Sequence, residues 1–267
     1  MDAMSFIHSI ILGFVEGITE FVPISSSGHL IIARQILGIQ SSNGLLVDAI
    51  LQLGTILAVL VYFWNDLWHL FKAFLRMCVG KIVSEEDKKM IWAIILATIP
   101  AVILGLLLET YMETTFRSVH VVAWTLIVGA ILMFVADKLG KQNKVLTAGK
   151  GFIIGLFQCF ALVPGISRSG ATISGGLLTG LTREEATRFS FLMAFPIIFG
   201  SGVKSLWDMY KMGQLGSIGL SLGVGAVVAF ITGLAAIHFL ITYLKKHNLN
   251  LFIWYRVVVA VLILIFL

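Results

Sequence analysis

Two carboxylates, an imidazole and a guanidinium stand inside apolar stretches of this chain, each beside a group of hydroxyls. Glu16 and Glu20 precede the run Pro23-Ile24-Ser25-Ser26-Ser27-Gly28-His29. Far along the chain comes Pro164-Gly165-Ile166-Ser167-Arg168-Ser169-Gly170, with Thr172 shortly after. The glutamates are four apart, so on a helix they share one face. A carboxylate pair suits a hard divalent cation such as Mg2+, or Ca2+. It equally suits one metal ligand, Glu16 or Glu20, with the other carboxylate orienting His29. Serines before a helix offer hydroxyl donors, and the free backbone N–H groups of a helix start bind phosphate. Ser25, Ser27 and Gly28 are candidates for that role, and so are Ser167, Ser169, Gly170 and Thr172. Arg168 is an anion clamp by chemistry, because guanidinium binds phosphate oxygens in pairs and keeps its proton. Ser26, His29, Glu20 and Arg168 are the candidate catalytic residues.

Each feature has a plainer reading. Glu16 and Glu20 could be solvated charges at a membrane surface, the serines mere helix caps, and Arg168 only a counter-charge to a glutamate. Three charges at mid-membrane would cost about 8–10 kcal/mol if unpaired, against a total stability of about 5–15 kcal/mol. They must therefore be paired, hydrated or bound to a cation. Weaker candidates are Gln158 and Gln52, expected to bond between helices, and Arg256, expected to pair locally or snorkel. Gly175, Gly176 and Gly180 are expected to serve packing.

The two runs are copies. A shift of 142 positions without a gap lays Gly13–Gly38 over Gly155–Gly180, and Gly13, Ile24, Ser25, Ser27, Gly28, Ile31 and Gly38 each meet an identical residue. Each copy is an apolar stretch broken by small polar residues, the form in which broken membrane helices build substrate sites. The first copy brings carboxylates and imidazole, the second guanidinium.

The surrounding chain must therefore be a membrane scaffold. It is 58% hydrophobic and 12% charged, where soluble domains carry about 25% charged residues. We expect a single all-α integral membrane domain over 1–267. Six stretches are long enough to span: 45–66, 90–108, 118–137, 184–206, 217–241 and 250–267. The segments 7–20 with 26–38, and 150–163 with 168–181, are too short alone and are expected to form two re-entrant helix-loop-helix hairpins. Repeat 1 then covers about 7–66 and repeat 2 about 150–206, with further spans at 90–137 and 217–267. The net charge of +5 comes from loops, with no basic, aromatic-interleaved stripe, so no nucleic-acid partner is expected. Thirteen basic residues fall on one side, in the 67–89 loop (with Glu85-Glu86-Asp87 read as solvated), at Lys138 to Lys150, and at Arg183, Arg188, Lys245 and Lys246. Four fall on the other: Arg34, Arg117, Lys204 and Lys211. The richer side faces the cytoplasm. Three spans between the hairpins invert the second copy, an inverted-topology repeat. Two isolated cysteines exclude a disulfide framework, and the glutamates in the first apolar run argue against a cleaved signal peptide. Gly219, Gly223 and Gly225 permit close packing within the chain or in a homodimer.

The motifs EGITEFVPISSSGH and PGISRSGAT resemble those of the undecaprenyl-diphosphate phosphatase family, the bacitracin-resistance proteins, and the resemblance runs through the whole chain. It implies an enzyme of the bacterial inner membrane that hydrolyses a polyprenyl diphosphate lipid, undecaprenyl diphosphate, to undecaprenyl phosphate and inorganic phosphate. It implies dependence on a divalent cation. By motif, Glu16 and Glu20 match the acidic positions, Ser26 and His29 the serine–histidine positions, and Arg168 with Ser167, Ser169 and Thr172 the arginine motif. Ser26 or His29 is expected to attack the terminal phosphorus, or His29 to activate a water, with Ser26 as nucleophile and His29 as acid/base the favoured pair; the charge placement opens the site to the outer side. A transporter or flippase for a prenyl phosphate shares the architecture, but it has no need of the carboxylates and imidazole.

Overall fold

Eleven helices make up the described part of the computed structural model, which covers residues 6–39, 44–108, 118–211 and 220–267, with Tyr111, Phe116 and Gly213 besides. No strand occurs among the described residues. The helices are α1 Phe6–Phe21, α2 Ser26–Leu37, α3 Gly44–Tyr62, α4 Trp64–Cys78, α5 Glu85–Leu107 and α6 Val119–Leu139. After these come α7 Ala148–Phe160, α8 Arg168–Leu178, α9 Arg183–Lys211, α10 Leu220–Leu244 and α11 Asn250–Phe266. The two helix–break–helix pairs, α1/α2 and α7/α8, fall where the polar interruptions predict them.

Four helices, α5, α6, α9 and α10, are long and apolar enough to cross a membrane, and the bent pair α3–α4 would make five. This is fewer than the six expected spans. The stretch 45–66 does not run straight: it ends at Tyr62, and the chain bends by 82° into α4. The segment 67–89, expected as loop, therefore begins in a helix. Its sequence explains why. Trp64, Trp68, Phe71 and Leu75 recur at helical spacing on an exposed side, while Lys72 and Arg76 break the apolar run. Trp64, Trp68 and Phe71 stack in series, and the Lys72 ammonium lies 5.1 Å over the Trp68 ring. α11 has 17 residues, short of the roughly 20 that a crossing needs. Glu85-Glu86-Asp87 is not loop but the first turn of α5, where Ser84 caps the Asp87 N–H and the acids suit the helix dipole. α9 opens on a reciprocal cap between Thr182 and Glu185.

Burial of apolar area gives helices no reason to associate inside lipid, so close approach decides. α1 lays its Gly13 and Gly17 on α10. A Cβ at Gly13 would sit 2.2 Å from the Gly225 carbonyl oxygen, and one at Gly17 would sit 2.6 Å from that of Ala229. α7 does the same on α5: a Cβ at Gly155 would meet the Ala97 oxygen at 2.4 Å. Gly13 and Gly155 are repeat equivalents, so each copy's first helix is clasped by a helix from the other half. Gly225 is thus consumed inside the chain. Gly223 faces open space, and Gly219 lies outside the described residues. Around these clasps a core of Phe21, Phe63, Met133, Leu177, Phe191 and Ile237 ties α1, α3, α6, α8, α9 and α10 together. Gly175 and Gly176 pack on Phe157 and Ala186, as expected. Large apolar side chains such as Trp92, Ile103, Trp124, Phe199 and Val227 are exposed on the outside, the surface a lipid-embedded protein presents.

Arg34, counted among the loop charges, is buried on α2 and paired with Asp48 of α3; Arg117 lies outside the described residues.

Candidate active site

The site begins with two strained serines. Ser25 has φ 79° and Ser167 has φ 75°, a left-handed conformation that β-carbon residues rarely hold. They are repeat equivalents, and each caps the helix that follows: Ser25 Oγ accepts from Gly28 N at 3.3 Å, and Ser167 Oγ from Gly170 N at 3.2 Å. Each chain turns sharply there, so that α2 and α8 both start at the breaks, where the positive ends of the two helices suit an anion.

The breaks interlock. Gly165 N donates to Ser25 Oγ at 3.0 Å, and Ser169 Oγ to the Val22 carbonyl at 3.4 Å. Gly165 has φ 99°, and a Cβ there would meet Thr125 Oγ1 at 1.9 Å, so only glycine fits. Thr125 in turn donates to the Pro164 carbonyl at 2.6 Å. Arg256 completes the brace. It is fully buried on α11, and its guanidinium donates to carbonyls from both breaks: Pro23 at 3.2 Å, Ile166 at 3.0 Å and Gly165 at 2.7 Å. It also reaches Leu126 at 3.1 Å and Thr125 at 3.4 Å on α6. Arg256 therefore neither snorkels nor pairs with a nearby acid. Five carbonyl dipoles solvate it in place of water.

Between the breaks lies Glu20. One of its oxygens accepts from the Arg168 guanidinium and the other from the Ser26 hydroxyl. One carboxylate thus joins the groups that the two repeats contribute separately. Glu20 is buried, and Arg168 keeps 17% of its side-chain exposure, so the cation is the more accessible partner. Ser26, expected to pair with His29, has Glu20 as its neighbour instead. His29 turns elsewhere. Its Nδ1 lies 2.8 Å from the Ser25 carbonyl and its Nε2 2.9 Å from the Tyr255 hydroxyl.

Glu16 sits one turn before Glu20 on the same face of α1. It is fully buried, and neither of its carboxylate oxygens has a hydrogen-bond partner among the described residues. No group of three or more His, Cys, Asp or Glu that could hold a metal occurs among the described residues. Thr172, a candidate phosphate ligand, donates to the Arg168 carbonyl at 2.8 Å and meets Ser190 Oγ at 2.6 Å, which ties α8 to α9. Ser27 lies 3.4 Å from Ser25 Oγ, and Gly28 and Gly170 supply the capped N–H groups. Gln158, the repeat counterpart of Glu16, is buried and reaches the Ala97 carbonyl of α5, the interhelical role expected of it.

Comparison with known proteins gives the family. The family model described as bacitracin resistance protein BacA matches residues 9–262. The chain belongs to this family. It is 42% identical over 260 residues to the undecaprenyl-diphosphatase of Pseudarthrobacter chlorophenolicus, covering 95% of this chain and 94% of that protein. It is likewise 42% identical to the Micrococcus luteus undecaprenyl-diphosphatase over 263 residues, 96% and 95% of the two chains. The Chloroherpeton thalassium protein of that name is 42% identical over 273 residues, 98% and 96% of the two. This BacA-family chain therefore carries the motifs on a full-length match.

Sequence reasoning missed Tyr255 and the bracing roles of Arg256, Thr125 and Ser190. One signal was available for Arg256: it is the only charge in the last apolar stretch, and an intramembrane charge needs a partner.

Proposed function

We propose that this protein is a membrane phosphatase that hydrolyses undecaprenyl diphosphate to undecaprenyl phosphate and inorganic phosphate, recycling the lipid carrier of cell-wall synthesis. One observation carries the reading: Glu20 holds the Ser26 hydroxyl of one repeat beside the Arg168 guanidinium of the other. A carrier would need the clamp alone. A hydroxyl donating to a carboxylate next to an anion clamp is an arrangement for phosphoryl transfer.

Arg168 and the N–H groups that open α2 and α8 bind the terminal phosphate. Ser26 Oγ attacks its phosphorus as the Ser26 proton passes to Glu20. The bond to the bridging oxygen breaks, and prenyl monophosphate leaves. A water then attacks the phosphoserine, its proton goes to His29, and Ser26 recovers its own from Glu20. The polyprenyl tail stays in lipid, where each buried CH2 is worth about 0.8 kcal/mol.

Glu16, with both oxygens unpartnered, and Glu20 would hold a divalent cation such as Mg2+ or Ca2+. Two carboxylates plus substrate phosphate oxygens form a donor set that suits such an ion. When bound, the cation supplies charge neutralisation at the phosphate oxygens.

The proposal extends to topology. The two breaks are the tips of re-entrant hairpins inserted from opposite sides, the crossings between them inverting the second copy. The lysine-rich loops face the cytoplasm, α4 lies in the membrane interface with its aromatic side in the acyl boundary, and the Glu20 site opens outward. Mass measurement in detergent decides between a monomer and the homodimer that small-residue faces permit.

Phosphate release from undecaprenyl diphosphate by the purified protein tests the reading, alongside Glu20→Ala and Arg168→Ala. Release by wild type and loss in both variants is expected. Binding of the lipid without release would favour a carrier.

A further inference from the structure

His29 occupies the first turn of α2, where both ring nitrogens are engaged. The Ser25 carbonyl, 2.8 Å from Nδ1, can only accept. Nδ1 therefore carries the proton, and in the neutral ring Nε2 is the acceptor. The group facing Nε2 is the Tyr255 hydroxyl at 2.9 Å, which must donate to it. The rings also stack, with centroids 5.6 Å apart and planes within 17°. Tyr255 comes from α11, far from His29 in the chain, and its sequence neighbour is Arg256. The carbonyl contacts of Arg256 lock α11 against both breaks, so the Tyr255 hydroxyl inherits a fixed place relative to α2. Tyr255 stays 41% exposed.

We propose that Tyr255 is a positioning residue for His29. Its hydroxyl fixes the imidazole in the Nδ1–H tautomer and keeps Nε2 an acceptor, the form that takes a proton from the water attacking the phosphoserine. In that step the Tyr255 O–H···Nε2 bond opens and the water takes its place; the water O–H breaks, N–H forms at Nε2, oxygen bonds to phosphorus, and the phosphorus–Oγ bond opens. A histidine poised for proton transfer needs both its tautomer and its direction fixed beforehand. Here two bonds do it: the Ser25 carbonyl selects the tautomer and Tyr255 sets the ring's direction.

The inference rests on the phosphatase reading, and the test separates the two. Wild-type protein and Tyr255→Phe, which keeps the stacked ring and loses only the hydroxyl, are prepared in detergent with 15N-labelled histidine. His29→Gln identifies the His29 signals among the six histidines of the chain. In Tyr255→Phe the Nε2 resonance of His29 is expected to move toward its unbonded position, while Nδ1 and the other histidines hold. In phosphate release, kcat is expected to fall about tenfold or more, with KM within about twofold. An unmoved His29 resonance overturns the proposal, and so does a moved resonance with kcat intact. A raised KM with kcat unchanged also overturns it, assigning Tyr255 to substrate contact. If wild type releases no phosphate, the phosphatase reading fails by itself, and the resonance alone still upholds or rejects the Tyr255–His29 bond.

Discussion

Replacing Arg256 by lysine keeps the charge and removes the fork, and the cost can be worked from the contacts. The guanidinium serves five carbonyls, at 3.1, 3.2, 3.0, 2.7 and 3.4 Å. An ammonium has three donors, so at least two buried carbonyls lose their partner. An unsatisfied buried acceptor costs about 1–3 kcal/mol, giving about 2–6 kcal/mol in all. For a chain of this size 1 kcal/mol moves Tm by about 2–4 °C, so Arg256→Lys should lower it by roughly 5–20 °C. Three of the carbonyls, Pro23, Gly165 and Ile166, belong to the breaks beside Ser26 and Arg168, so activity should suffer even where the fold survives. At a temperature where the variant remains folded, phosphate release should drop about tenfold, as misplaced catalytic groups do. Tryptophan-fluorescence melting in detergent and phosphate release together form the assay. A Tm within about 2 °C of wild type with full activity would refute the idea that Arg256 braces the site.

Glu20→Gln should reduce phosphate release by about 10²–10³-fold, since it removes the charge paired with Arg168 and leaves one acceptor oxygen where two serve Arg168 and Ser26; lipid binding measured in parallel should persist. Chelation should silence the wild type, with recovery on adding Mg2+, and Glu16→Gln should resemble the chelated enzyme; full activity in chelator would end the cation proposal. Gly13→Ala places a methyl against the Gly225 carbonyl and should give aggregated protein on size exclusion. Gly223→Ala, facing open space, should run as wild type.

The breaks were legible in the sequence because lipid leaves backbone polar groups unsatisfied wherever a helix stops, so small polar residues clustered inside an apolar stretch mark a built feature. The copy offset by 142 positions was legible too, and the structure repeats it in the left-handed Ser25 and Ser167 and in the paired clasps of Gly13 and Gly155. That the acidic copy and the cationic copy share one cavity was legible as well, because charges inside lipid must be paired, and Glu20 does reach Arg168 across 148 positions. How the pair is completed was not legible. Ser26 was assigned to His29, its neighbour in sequence, when the nearer group in space is Glu20. Tyr255 was invisible as one aromatic residue among many in an apolar helix. α4 was hidden differently: Lys72 and Arg76 lowered its hydropathy, while the helical spacing of Trp64, Trp68, Phe71 and Leu75 was there to be counted.

The clasp of α1 by α10 also sets a timetable for biogenesis. The N-terminal hairpin emerges first, yet the helix that receives it is made about 200 residues later. At translation rates of about 5–20 residues per second, the wait is on the order of 10–40 s. Until Arg168 is made, 148 positions after Glu20, Glu16 and Glu20 have neither Arg168 nor α10, and each would cost about 2.5–3.5 kcal/mol at the bilayer centre. The hairpin must therefore linger at the lipid surface or in the insertion machinery, and truncation before α10 would leave it permanently unseated. Assembly of this enzyme is a closing step in which the oldest segment is the last to be installed.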